Sequence, residues 1–277
     1  MIARLWRDIV TIVSELFVYP IKSARGIRIQ QATLDRRGFE HDRRWMLVDS
    51  QRKFISQRTH PRLALVSTSI GEDLKLSAPR MEDLHLPLRP SAGAAREVEI
   101  WDDRCSAISM GPDASQWFSD FLGSDCDLVF MPDQSIRKVD HPGPEAIVGF
   151  ADGFPLLLIS NGSLEDLNRR LVHPVPMNRF RPNIVVSGCA PFAEDEWKEI
   201  RIGTVQFQTS KACERCVIPT VNQESGERGI EPLKTLGGYR NHGQKILFGQ
   251  NLIHRTGGTL RVGDPVNASI AGAPSAA

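Results

Sequence analysis

The sequence predicts an α+β fold that is mainly β and divided into two domains. Three observations carry this expectation. Short apolar or alternating runs recur along the whole chain, its 18 prolines and 22 glycines fall between those runs as turn residues, and 277 residues at 41% hydrophobic content suffice for one large core or two of ordinary size.

Taken in order, residues 1–12 read as an N-terminal extension, because Arg4, Arg7 and Asp8 interrupt its apolar stretch and no small-residue cleavage site follows. A β-rich domain is expected over 13–134, with strands at 16–19, 26–34, 44–49, 53–56, 63–70 and 96–101. Within it, Trp117, Phe118, Phe121 and Leu122 recur at helical spacing behind Asp113, so 113–122 is a predicted helix. The stretch 135–155 is rich in Pro, Gly, Asp and charge and is the natural crossing into a second domain, 135–269. That domain is expected to hold strands at 156–159, 183–187, 199–209, 247–254 and 259–262. Its helix opens on the capping-box-like Ser163-Leu-Glu-Asp166 and runs to Leu171. Residues 270–277, rich in Ala, Gly, Pro and Ser, read as a disordered tail.

Composition excludes several function classes. With 34 basic against 33 acidic residues the net charge is +1, so no global field draws the chain to nucleic acid or to an anionic membrane; any anion site is local. Five scattered cysteines do not make a disulfide scaffold for a chain of this length and fit a reducing compartment. No apolar run approaches the roughly 20 residues of a transmembrane helix. The expectation is a soluble, cytoplasmic protein with neither nucleic acid nor membrane as partner.

Two clusters carry candidate chemistry. Cys213 and Cys216 form a Cys-x-x-Cys pair directly after a predicted strand. A zinc site is disfavoured, since His242 and His254 stand 12 residues apart with no cysteine beside them. A thioredoxin-like pair is disfavoured as well, because Val217, Ile218, Pro219 and Thr220 argue for extended chain and not for a helix start. From these residues alone, two buried cysteines packing as small hydrophobes is the commonest outcome. The second cluster is cationic: Lys22 with Ser23 and Arg25 after the first strand, Arg43 and Arg44 at the start of the third, then Arg58, Arg179 and Arg181 beside other predicted strand ends. Guanidinium forks match phosphate oxygens two at a time, so these residues fit a phosphate-bearing ligand. Pairing with surface carboxylates is the commoner fate of any one of them.

Seven strings narrow the reading: Tyr19-Pro-Ile-Lys-Ser23, Asp42-Arg-Arg-Trp45, 160–171, Arg179-Phe-Arg-Pro-Asn183, Ala212-Cys-Glu-Arg-Cys-Val-Ile-Pro-Thr-Val221, Thr235-Leu-Gly-Gly-Tyr-Arg240 and Val262-Gly-Asp-Pro-Val266. Together and in this order they resemble the MOSC family, in particular its subgroup with an N-terminal β-barrel domain, which includes the amidoxime-reducing components and bacterial proteins that detoxify hydroxylaminopurine. The resemblance implies a β-barrel-like first domain and a MOSC β-barrel second domain with a few helices. It also implies a molybdenum cofactor (Mo-molybdopterin) bound between them, with Cys216 as the metal ligand and catalytic residue. A thiolate is a soft, charge-donating ligand suited to such a metal. Lys22, Ser23 and Arg43 match the pterin-phosphate contacts of the first domain, and Ser160, Asn178, Arg179 and Arg181 match the segment lining the pterin from the second. Of the adjacent Arg43 and Arg44, only one can face the site from a strand, and the role of Cys213 stays open.

The implied activity is a molybdenum-dependent oxidoreductase acting on small N-hydroxylated substrates such as hydroxylamines, amidoximes or hydroxylaminopurine. Bacterial relatives often carry a C-terminal ferredoxin domain, whereas no cysteine follows Cys216 here, so electrons are expected from a separate ferredoxin- or cytochrome-type protein with its reductase. The alternative is a sulfur-carrier or cofactor-handling protein using a Cys216 persulfide. A third, non-catalytic reading is storage of the pterin.

Overall fold

The structure, a computed structural model, describes residues 10–90, 93, 95–141 and 145–270. Nearly all of the expected N-terminal extension and tail therefore lies outside the described residues, while Ile12 and Ile270, placed in them by the sequence, are strand residues. Strands dominate, as expected. A nine-stranded sheet runs in the order Val266–Ile270, Trp197–Ile202, Val205–Glu214, Lys245–His254, Leu156–Ser160, Ile184–Ser187, Ile12–Val18, Ile27–Ile29, with the short Asn241–His242 paired to Lys245–His254. All its neighbours are antiparallel except Leu156–Ser160 with Ile184–Ser187, and the crossover that a parallel pair needs contains the helix Asn161–Asn168.

The first strand lies inside this sheet, which is otherwise built mostly by the second half of the chain. Val13 pairs with Val186 and Leu16 with Ile184. Val13, Leu16, Leu34 and Phe39 share one core with Leu158, Val186, Phe207 and Leu260. Alternation holds from Glu15 to Val18, and a register shift between Val13 and Glu15 brings Val13 onto the buried face with Leu16 and Val18, while Ser14, Glu15 and Phe17 are partly open.

The rest of the first half forms a four-stranded sheet ordered Trp45–Val48, Asp127–Phe130, Asp103–Ser109, Ala95–Ile100, and a three-stranded meander, Ser67–Ile70, Asp73–Ser77 and Leu84–Pro87. The helix Pro112–Leu122 buries Ala114, Trp117, Phe118 and Phe121 in the core shared by these two sheets. Pro112 stands in its first turn, where a missing N–H costs nothing, and Gly123 in left-handed conformation ends it. Gly111 is its N-cap, so Asp113 is a first-turn residue and not the cap. No helix among the described residues is long and apolar enough to cross a membrane.

Several predicted strands are subdivided. The run 26–34 breaks at Gln30: Ile27–Ile29 pairs with the first strand, and Gln31–Asp35 pairs with Gly258–Arg261 in another sheet. The run 199–209 is a hairpin folded at Gly203, whose φ of +56° the turn requires. Pro61 converts the start of 63–70 into the 3-10 helix Pro61–Leu65. Residues 53–56 form only isolated bridges, Phe54 with Val48 and Lys53 with Glu99.

Candidate functional site

Where the first strand ends, Tyr19 anchors the junction of the two halves. Its N–H donates to Asp42 Oδ1 at 2.8 Å and its hydroxyl donates to the Pro182 carbonyl at 3.0 Å. Two guanidinium groups lie over the Tyr19 ring, Arg43 at 4.1 Å and Arg181 at 4.3 Å from its centroid. Burial pushes the phenol up to about 12, against the pull of Arg181 and Arg43. Arg43 Nη1 donates to Asp42 Oδ2 at 2.5 Å and to Asn183 Oδ1 at 3.0 Å; Asn183 Nδ2 donates to Asp42 Oδ1 at 3.1 Å. This closed network brings the Asp42-Arg-Arg and Arg-x-Arg-Pro-Asn strings together.

Beside it opens a cavity of about 150 Å³ whose walls come from both halves: Lys22, Ser23, Arg43 and Arg58 from the first, and Asp152, Arg181, Cys213, Arg215 and Cys216 from the second. Ser23, Arg43 and Arg181 have φ of +70°, +46° and +59°. Left-handed backbone is costly for such residues and concentrates where a site dictates the geometry. Close approach also shapes the cavity. Phe150 N donates to the Arg43 carbonyl at 2.7 Å, and a Cβ at Gly149 would lie 2.8 Å from that oxygen, so only glycine fits.

Asp152 organises the cations. It pairs with Lys22 and, at 2.8 Å, with Arg58. Burial would raise its pKa, but these two cations hold the carboxyl well below the usual carboxylate range. The Lys22 amine is pushed down to about 8 by burial, with Asp152 opposing the shift. Burial likewise lowers Arg181 to about 10, with Arg43 adding to the shift. Nη1 of Arg58 and Nη2 of Arg181 are buried without a hydrogen-bond partner. These are donors available to an anionic ligand.

The thiols sit at the end of the strand Val205–Glu214. Arg58 Nη2 donates to Cys216 Sγ at 3.2 Å, and Arg215 Nη1 donates to Cys213 Sγ at 3.0 Å. After Cys216 the chain is not extended, as the sequence suggested. It turns through the 3-10 helix Ile218–Thr220, where Pro219 fixes a compatible φ and Thr220 Oγ1 donates to the Val217 carbonyl at 2.7 Å.

Six of the nine residues expected at the site line this one cavity: Lys22, Ser23, Arg43, Arg58, Arg181 and Cys216. Three do not. Ser160 is the N-cap of Asn161–Asn168; its Oγ accepts from Ser163 N at 3.0 Å, so the helix starts at Asn161, two residues ahead of the predicted Ser163. Arg179 spends its guanidinium on the carbonyls of Pro219, at 2.6 Å, and Glu231, at 3.0 Å. Asn178 lies in the 3-10 helix Met177–Arg179, away from the cavity lining. Arg44 points away from Arg43, to the Met131 carbonyl and Asp133, both at 2.7 Å. Asp152 and Arg215 were missed. Asp152 belongs to the Pro/Gly-rich crossing, where a carboxylate carries no periodic signal. Arg215, inside the Cys-x-x-Cys string, was open to notice.

Comparison with known proteins gives consistent matches along the chain. Residues 10–125 match the MOSC N-terminal beta barrel domain, and residues 145–267 match the MOSC domain. The chain is 36% identical to mitochondrial amidoxime-reducing component 1 of Homo sapiens over 275 residues, covering 92% of this chain and 82% of that protein. It is 35% identical to mitochondrial amidoxime reducing component 2 of Bos taurus over 276 residues, again 92% of this chain and 82% of that one. Molybdenum cofactor sulfurase of Oryza sativa subsp. japonica is 34% identical over 258 residues, 84% of this chain but 31% of that longer protein.

Proposed function

Since the chain belongs to the MOSC family, with that family's N-terminal β-barrel domain ahead of its MOSC domain, we propose that it is a molybdenum-cofactor-dependent reductase of N-hydroxylated compounds. The observation that carries the reading is the cavity itself, where the thiols of Cys213 and Cys216 and a set of partly unpaired buried cations face a common space. The residues fit the group. Cys216 offers the soft sulfur that the metal takes, and Lys22, Ser23, Arg43, Arg58 and Arg181 offer donors for the terminal phosphate. When bound, the cofactor supplies the two-electron oxygen-atom chemistry that side chains lack.

The chain's own residues then have distinct tasks. Arg58 fixes the Cys216 sulfur by its hydrogen bond and is itself held by Asp152. Tyr19 spaces Arg43 and Arg181 on its ring. Arg137 secures the Asp152 segment by donating to the carbonyls of Ala151 and Asp152 at 2.5 and 2.8 Å. Small hydroxylamines, amidoximes or hydroxylaminopurine are the substrates, and electrons arrive from a separate ferredoxin- or cytochrome-type protein with its reductase.

The test is elemental analysis and turnover on protein made in a host with the cofactor pathway. We expect close to one molybdenum per chain, little zinc, and reduction of benzamidoxime only when the electron-transfer partner is added. Stoichiometric zinc without molybdenum, or substrate-coupled NADH oxidation by the chain alone, would overturn it. The 34% identity to a cofactor sulfurase favours one second reading, a Cys216 persulfide carrier. That reading gives labile sulfane sulfur and no reductase turnover in the same preparation.

A further inference from the structure

Trp101 stands at the tip of the hairpin that joins Ala95–Ile100 to Asp103–Ser109. Ile100 pairs with Asp103, which leaves Trp101 and Asp102 as a two-residue turn. Trp101 has a φ of +55° and Asp102 is not among the positive-φ residues. This is the pattern of a type II′ turn, whose first central position favours glycine. A bulky side chain in that conformation is strained, and such strain points to a role for the side chain.

Burial is not that role, for Trp101 is 44% exposed. It packs against Phe54, with ring centroids 4.9 Å apart, and the Arg58 guanidinium lies 4.6 Å from its own centroid. Arg58 is the residue that donates to Cys216 Sγ, so the indole is one side chain removed from the thiol. Lys22 Nζ lies 5.1 Å from the Phe54 ring. Both cations meet at Asp152. The hairpin is tied to the same place, since Arg137 Nε donates to Asp103 Oδ2 at 2.6 Å while its Nη2 holds the Asp152 carbonyl. Phe54 and Trp101 thus form an aromatic ledge, braced by two cavity cations, next to the candidate metal ligand.

We propose that Trp101 is a binding platform for flat conjugated rings, and that it selects substrates whose N-hydroxylated group is borne on an aryl or purine-like ring over open-chain ones. The reacting group is taken from the reductase reading, on which the proposal rests. A conjugated ring stacks on an exposed indole whatever its substituents, and the adjacent cavity then receives the group that projects from the ring.

The test compares cofactor-loaded wild type with Trp101→Gly and Trp101→Phe. Benzamidoxime and acetamidoxime serve as ring-bearing and open-chain probes, in equilibrium titrations without electron donor and then in turnover. Glycine suits the turn, so Trp101→Gly should keep or raise the melting temperature. It should weaken benzamidoxime binding by about fivefold to tenfold, as for loss of an aromatic contact, and acetamidoxime binding by less than about threefold. Trp101→Phe should restore most of the preference. Equal binding of both probes by wild type, binding of neither, or a lower melting temperature with an unchanged preference in Trp101→Gly would overturn the platform. Wild type that binds benzamidoxime selectively but reduces neither probe overturns the reductase reading and leaves the platform standing. Turnover of both probes with the ring preference intact in Trp101→Gly does the reverse.

Discussion

Arg43 and Arg44 are neighbours in sequence and occupy opposite environments. The sequence suggests strand alternation as the reason that only one of them reaches a given face, but Arg43 lies in a turn with a φ of +46°, ahead of the strand Trp45–Val48. Which of the two does so is decided by Asn183, about 140 residues away, and by the ring of Tyr19; nothing local in the sequence encodes it. Arg43→Ala should therefore lower cofactor occupancy without unfolding the protein, by the roughly 1.5–3 kcal/mol of a charge-assisted contact, read as molybdenum per chain. The two cysteines separate in the same way. Cys216→Ala should abolish reductase activity, and Cys213→Ala should leave much of it, because the Cys213 sulfur contacts Arg215 and not Arg58; equal losses with molybdenum retained in both variants would disprove Cys216 as the protein ligand. Lys22 adds a pH dependence. Its folded pKa of about 8 lies below the roughly 10.4 of an unfolded lysine, so the charged amine costs stability below pH 8 and that cost is relieved as pH rises from about 8 to 10.4. Anion affinity runs the other way. Sulfate, whose own charge is constant in this range, should bind the cofactor-free protein more weakly at pH 9 than at pH 7, and Lys22→Met should flatten the profile. A flat wild-type profile would count against a Lys22 that titrates there.

At the scale of elements, the sequence was most informative where apolar spacing is strict. The helix Pro112–Leu122 and the strands Leu156–Ser160 and Lys245–His254 fall close to their predicted positions. Its readings were least informative where one turn residue splits a run, as at Gly203, and where strands carry mixed faces. Asp103–Ser109 was missed because Asp103, Arg104 and Ser106 are exposed, leaving only Cys105 and Ala107 as small inward residues. Ser160 shows how a family-implied role and a local role compete for one side chain. Its hydroxyl caps a helix and also contacts Ser163 Oγ at 2.8 Å, while buried Glu194 accepts from Ser160 N at 3.0 Å and Ser163 Oγ at 2.7 Å. Ser160→Ala should accordingly cost about 1–2 kcal/mol in denaturant titration, as for a lost N-cap, and leave molybdenum content as in wild type. A loss of cofactor at unchanged stability would return Ser160 to the site.

For the whole molecule, the entry of the first strand into the sheet of the second half was not legible in the sequence. Pairing between Ile12–Val18 and Ile184–Ser187 leaves no periodic trace in sequence. A fragment starting at residue 135 would leave Ile184–Ser187 as an open edge, with Ile184, Val185 and Val186 fully apolar. It should aggregate or stay unfolded by circular dichroism, and a soluble, cooperatively folded fragment would contradict the shared core. The same pairing bears on how the protein is made. Ile12 leaves the ribosome about 175 residues before Ser187, which at about 5–20 residues per second is a wait of roughly 10–35 s. Throughout that interval the strand has Ile27–Ile29 on one edge and its other edge unpaired, so synthesis exposes that edge to chaperones and to neighbouring nascent chains. The cavity is walled by Lys22 from the first half and by Cys216 from the second, 194 residues apart, so a nascent chain that has not reached Cys216 lacks the cavity, and whatever it holds enters only after that point.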